Sequence, residues 1–210
     1  MSIVERLSTS VGDRTQGANL AVAETVKANT SLLAEIADGF DTASVKLLGD
    51  CVEIFTMVAV GQPEAVIPYL PAFQKLLHIR DKRVRWEAAH TLALTAIHAP
   101  DVIKKMVADL EELVARDESM IVRGYALQAL GEYARSKPAA ADSVFIFLRE
   151  SLGLWQGEHA HLALEALGKA ALANKDYASE VTEIASGYAN HEKSRMKKAA
   201  KTVLKQLGEK

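Results

Sequence analysis

Few residues in this 210-residue chain have the type and spacing to do chemistry. His159 and His161 are the nearest approach to a metal-ligand pair. An i, i+2 spacing places them on different sides of a helix, however, and no cysteine or other third ligand is spaced to join them. Cys51 is the single cysteine and lies in the apolar run LLGDCVEIF, which reads as a buried structural thiol rather than a reactive one. Serine, cysteine and histidine form no nucleophile elbow, and no glycine-rich phosphate loop follows a strand. The expectation is therefore no catalytic residue, no metal site and no cofactor. The expected function therefore rests on a binding surface and on the elements that build it.

Composition sets the class. Apolar residues make up 49% of the chain and charged residues 25%, as in ordinary folded proteins, while aromatics are only 6%. Alanine and leucine fill the apolar quota, which favours close-packed helices over sheets. A net charge of −2 gives the whole molecule no attraction to nucleic acid or anionic membrane. A lone cysteine excludes an intramolecular disulfide and fits a reducing compartment. The start, MSIVERLSTS, lacks a basic segment followed by an apolar one, and no apolar run reaches the ~18 residues of a spanning helix. The expectation is a cytoplasmic protein with no membrane partner.

One stretch recurs. Arg83–Ala96, RVRWEAAHTLALTA, is echoed at Val122–Ala134, Ala160–Ala171 and Met196–Leu207; aligning Ala88, Ala126, Ala163 and Ala199 gives spacings of 38, 37 and 36. Pro63, Pro100 and Pro138 recur at 37 and 38, an independent confirmation of the same register. Proline suits the first helical turn, so each opens the first helix of a pair. These run about 63–77, 100–115, 138–152 and 175–189, with Lys175 after Asn174 in the place of a fourth proline. Pro68 and Pro71 predict a bend or split in the first of them. Short polar turns at 80–82, 117–119, 156–158 and 191–194 lead into the second helices and make the partners antiparallel. An earlier pair spans 30–40 and 43–60, with Asp41 as a candidate N-cap and Gly61 as a left-handed terminator. Residues 2–25, interrupted by Gly12 and Gly17, read as two short helices or one kinked helix capping the array.

These residues resemble HEAT repeats over roughly 27–208. Asp81, Val84, Arg85, Ala88, Ala89 and Leu92 fit the family pattern of turn aspartate, Val-Arg, small residues and leucine; Asp117, Val122, Arg123, Ala126 and Leu130 nearly do. Ala160 and Met196 stand where the later arginines would be, confining any Asp/Arg ladder to the middle repeats. The short extra helix that distinguishes armadillo repeats is not visible, so HEAT is preferred. The resemblance implies an all-α, right-handed α-α superhelix of about five helical pairs plus an N-terminal capping helix. As one domain, 1–210, it comprises a cap at 1–26 and pairs at 27–60, 63–98, 100–136, 138–173 and 175–208. Such a fold is nearly silent on function. Enzymes of similar architecture find no match here. The repeated His-Glu dyads of deoxyhypusine hydroxylases are reduced to His191-Glu192 in a turn. The motif of the HEAT-like DNA glycosylases is absent, with Trp86-Glu87 a faint echo. Phycobilin lyase-type repeats are shorter.

In HEAT-like stacks the second helices line a concave face. At about 100° per residue, with Val84, Ala88, Leu92 and Ala96 inward, the outward column carries Arg83, Glu87, His90 and Leu94, flanked by Trp86. The next columns hold Ile121, Tyr125, Gln128 and Glu132, then Glu158, Leu162, Glu165 and Lys169, with His161 at the tryptophan position. Trp86, Leu94, Ile121, Tyr125 and Leu162 would either close the seam between neighbouring second helices as core or make an apolar strip with polar rims, suited to a helix or extended peptide. The expected function is a non-enzymatic interaction or scaffold module with a protein or peptide partner. The alternative is a nucleic-acid-associated protein of the HEAT-like repair type. It would use Lys197, Lys198, Lys201 and Lys205 in a C-terminal segment, 191–210, that carries +5 against −7 for the rest. A single helix of lysines without interleaved aromatics points only faintly that way, and the plainer account is a solvated terminal cap with cations near a helix C-terminus.

Overall fold

The computed structural model describes residues 2–42 and 44–208, and every regular element among them is helical. Contacts divide the chain into two compact units, Met1–His98 and Ala99–Lys210. The boundary falls between the helical pairs expected at 63–98 and 100–136.

In the first unit the glycine-interrupted start gives α1 (Ser8–Val11) and α2 (Gly17–Ala28). Gly12, at φ 73°, ends α1 in a conformation that a Cβ disfavours. Asp13 then organises the turn into α2. Its carboxylate accepts from the Thr15 hydroxyl and from the Ala18 and Thr15 amides, which draws its pKa down to about 2. After α3 (Leu33–Asp38), α4 (Val45–Ala59) runs through the core. Phe55 on α4 meets Phe40, Tyr69 and Phe73 with ring centroids 5.2–5.5 Å apart. Cys51 on the same helix has no exposure, and burial, then the charge of Asp50, push its thiol up to about 12. The thiol fills the space beside Gly39, where a Cβ would lie only 2.6 Å from Sγ.

Two expectations fail here. Ser44, not Asp41, caps α4 by accepting from the Leu47 amide, and the Asp41 carboxylate instead pairs with Lys75 Nζ at 2.8 Å. Ala43, where that helix was expected to begin, lies outside the described residues. Gly61 is not left-handed: α4 passes into Val60 with right-handed geometry, and the Gly61 and Gln62 amides both bond back to the Val58 carbonyl.

The second pair of this unit is α5 (Pro63–Val66), α6 (Leu70–Leu76) and α7 (Lys82–Thr95), with a 3₁₀ turn, Ile67–Tyr69, splitting the first helix as Pro68 and Pro71 require. Asp81 caps α7 by accepting from the Arg83 and Val84 amides. Val84, Ala88, Leu92 and Ala96 are fully buried, and α7 packs along α4.

The second unit repeats the plan. It comprises α8 (Pro100–Ile103), α9 (Val107–Arg116), α10 (Met120–Ser136), α11 (Pro138–Glu150), α12 (Ala160–Ala173), α13 (Ala178–Tyr188) and α14 (Ser194–Gly208). Here 3₁₀ turn Lys104–Met106 splits a first helix that has no internal proline. The split that sets off α8 was concealed in the sequence pattern, because a 3₁₀ turn keeps the apolar spacing nearly in phase. The helices α10, α12 and α14 pack in a row, each with buried small and branched residues toward its neighbour. Close approach requires glycine at two positions 37 residues apart. A Cβ on Gly131 would lie 2.9 Å from Ala166 Cβ, and one on Gly168 would lie 2.8 Å from Val203 Cγ2.

The largest departure is the connection at 151–159. The first helix stops at Glu150 rather than running to Leu152, and the chain reverses through Trp155 (φ 52°), Gln156 (φ 56°) and Gly157 (φ 75°). Two consecutive non-glycine residues in the left-handed region are strained, the bulky tryptophan most of all.

Candidate functional site

The outward faces of α10 and α12 and the start of α14 enclose a shallow depression of about 300 Å³. Ile121, Tyr125 and Gln128 from α10, and His161 and Leu162 from α12, line it together with Arg195. Met120 and Ile121 are 53% and 49% exposed, a large apolar display beside the half-buried Tyr125 and Leu162. The helical phase puts these side chains outward because Val122, Ala126, Leu130, Ala163 and Leu167 take the inward stripe. Gly124 forms part of the floor, facing Leu162 and His159 at ordinary contact distance. Glu165 is half-buried on α12, and its charge acts on His161. Farther along, Glu132 and Lys169 of adjacent columns pair at 3.0 Å.

A larger cavity of about 590 Å³ adjoins the depression, sharing Glu158, His161 and Arg195 with it. Its other walls come from the strained turn (Leu152, Gly153, Gln156, Gly157), from Tyr188 and His191, and from Lys193 to Met196. The turn is held from beneath. Trp155 Nε1 donates to the Val114 carbonyl at 3.0 Å, and the Arg123 guanidinium lies 4.0 Å over the indole ring. Arg123, 4% exposed, also donates to the Asp117 carbonyl and to the Glu158 carboxylate, so the repeat arginine ties its own turn to the next repeat. His159 packs beside this pair with Nε2 lacking a hydrogen bond and 3.8 Å from Glu158 Oε2. Burial, then the Arg123 charge, hold the His159 pKa below its ordinary value; burial, then Arg195, do the same for His161. Sequence reasoning missed Trp155 altogether. Nothing in QGE or its flanks announces two left-handed residues, and the only available signal was a large aromatic one residue outside a predicted turn.

The remaining predicted residues, Trp86, Glu87, His90 and Leu94, sit on α7 in the first unit. Glu87 is not outward. It is 8% exposed, because α4 packs on that flank of α7 and widens the buried arc. Its carboxylate accepts from Thr56 Oγ1 at 2.7 Å and from Trp86 Nε1 at 2.6 Å, which fixes the half-buried indole. His90 and Leu94 are half-buried, and burial lowers the His90 pKa. Arg83 is turned inward as well, bridging Asp50 at 2.8 Å and Glu53 at 2.9 Å. Burial pushes the Asp50 carboxyl up, but hydrogen bonds from Thr9 and Arg83 outweigh it and hold it low. At Glu53, with Glu87 nearby, burial wins and the pKa is raised. Asn19 and Gln16 complete this polar seam through Glu53.

Lys197, Lys198, Lys201 and Lys205 are exposed on α14 and share one shallow surface with Ser194 and Thr202, without an aromatic side chain among its lining residues. Lys210 and Glu209 of the basic segment lie outside the described residues. Among the described residues, no three His, Cys, Asp or Glu side chains gather as a metal site. None of the described helices is long and apolar enough to cross a membrane.

No protein-family model matches the sequence, and no curated protein matches it. Solved structures do resemble the fold. A designed armadillo repeat protein in complex with the peptide (KR)4 superposes with a TM-score of 0.75 at 17% identity, covering 98% of each chain. An engineered protein gives 0.74 at 22% identity over 98% of this chain and 96% of that one. Computationally designed armadillo repeat proteins for modular peptide recognition give 0.72 at 17% identity, over 97% and 98%. The fold is that of an all-α, armadillo- or HEAT-like repeat solenoid.

Proposed function

We propose that the chain is a non-enzymatic module that binds a protein or peptide partner on the outward faces of its second helices. The observation that carries this reading is the depression between α10 and α12. There Met120 and Ile121 expose large apolar side chains beside Tyr125 and Leu162, with Gln128 and His161 as polar edges. An aromatic anchor flanked by aliphatic side chains in a concave site is what interface hot spots are built from. Two solved structures of similar fold support the same reading, one holding the peptide (KR)4 and the other made for peptide recognition. On the first unit, Trp86, His90 and Leu94 remain candidates for partner contact, whereas Glu87 serves by fixing Trp86.

The test is selection of a displayed library of random 12-residue peptides on the wild-type protein and on Ile121→Asp/Tyr125→Ala. Wild type is expected to enrich peptides with an apolar or aromatic anchor, and the variant to lose them by tenfold or more, as about 2 kcal/mol at a hot spot implies. Equal enrichment on a variant that keeps its circular dichroism spectrum would refute this surface.

A further inference from the structure

We infer that the 590 Å³ cavity beside the depression is an anion-accepting subsite, which selects an acidic residue in the bound peptide next to its apolar anchor. The inference rests on the peptide-binding reading above and adds what that reading leaves open, the chemistry of the partner. Its first support is charge. Lys193 and Arg195 both line the cavity, and among the described residues neither is in a salt bridge. The one acidic side chain in the wall, Glu158, is already engaged by Arg123. The wall therefore carries two uncompensated cations in a chain whose net charge is −2. Two imidazoles, His161 and His191, add hydrogen-bonding groups on the same wall.

The second support is continuity. His161 and Arg195 belong to the depression and to the cavity alike. A peptide whose apolar side chain sits against Tyr125 and Leu162 would thus present its neighbouring residues to the cations without leaving the surface. The third support is the turn. The chain spends backbone strain at Trp155 and Gln156 to form this wall, and strain held in place by a buried arginine is characteristic of sites rather than of idle loops. An arginine in a partly enclosed wall matches a carboxylate or a phosphoryl group by paired hydrogen bonds. Both Asp/Glu and phosphorylated residues supply that chemistry.

The test uses the same 12-residue library on wild type and on Lys193→Glu, a charge reversal at an exposed residue that lines the cavity and not the depression, which should leave the thermal melt unchanged. Wild type should enrich Asp or Glu within a few residues of the apolar anchor, and the variant should keep the anchor but lose the acidic bias. For one enriched peptide, replacing the acid by its amide should weaken binding about tenfold on wild type and not on the variant, while a phosphoserine version separates the two anion sources. Apolar enrichment without acidic bias, or a bias toward Lys and Arg, overturns this inference and leaves the groove standing. No enrichment of either kind overturns both.

Discussion

Replacing Gly131 with alanine tests whether the spacing of the second helices is set by backbone contact. The new Cβ would lie 2.9 Å from Ala166 Cβ and 3.1 Å from Ala166 Cα. Carbon atoms normally rest about 3.5–4.0 Å apart, so α10 and α12 must separate by several tenths of an ångström, and a backbone atom cannot swing aside. Overpacking of this kind costs about 1–3 kcal/mol. Alanine in a helix interior recovers about 1 kcal/mol relative to glycine. The net expectation is a loss of about 1 kcal/mol, read as a lower urea midpoint with an unchanged slope. Gly187 on α13 is the control, because a Cβ there meets nothing within 4 Å. Gly187→Ala should therefore stabilise the protein by up to about 1 kcal/mol. Adding Ala166→Gly to Gly131→Ala should relieve the closer contact but not the one to Cα, and so return only part of the lost space. If Gly131→Ala proves as stabilising as Gly187→Ala, close approach is not what requires glycine there.

Glu87→Ala removes the acceptor of Trp86 Nε1 and Thr56 Oγ1, and should cost about 1–3 kcal/mol; a chemical melt within about 0.5 kcal/mol of wild type would show that the network adds no stability. The lowered pKa values of His90, His159 and His161 mean that the folded state keeps these imidazoles neutral where the unfolded chain takes up protons. Stability should accordingly be full above pH ~6.5 and decline as the pH falls below it, with a shallower decline in His159→Gln. Urea midpoints from pH 7.5 to 5 measure this, in a window above the one where Asp50 protonates. Gln156→Gly relieves a positive φ and should leave stability unchanged or raise it by up to about 1 kcal/mol. A clear loss in the melting temperature would mean that the Gln156 side chain supports the turn.

The fold was legible because its determinants are local and periodic. Val84, Ala88 and Leu92 recur as Val122, Ala126 and Leu130, and the prolines repeat the count, so register followed from spacing alone. Caps were less legible. Asp41 and Ser44 are equally good N-cap residue types, and only the positions of α4 and Lys75 decide between them. The surface was half legible. Helical phase placed Tyr125, Gln128 and Leu162 together, but it treats each helix as if one stripe were buried. Glu87 and Arg83 lie on the flank that α4 covers, and that neighbour is absent from a single helix's periodicity. The cavity was not legible at all, since it depends on the backbone torsions of Trp155 and Gln156 and on Arg123 holding them from another repeat.

Cys51 was read from the sequence as structurally inert, and in the structure its thiol is sealed against Gly39 with its pKa pushed up to about 12. The same isolation makes it a clock. Because this is the chain's single thiol, any modification by an alkylating reagent counts one event, the opening of the α3–α4 packing. The reagent needs thiolate, which neither the closed geometry nor the raised pKa supplies. Once reagent is concentrated enough that the labelling rate no longer depends on it, that rate reads the frequency of local unfolding in the first unit, without a probe being added. The core of the first unit thus carries its own reporter of how often it opens.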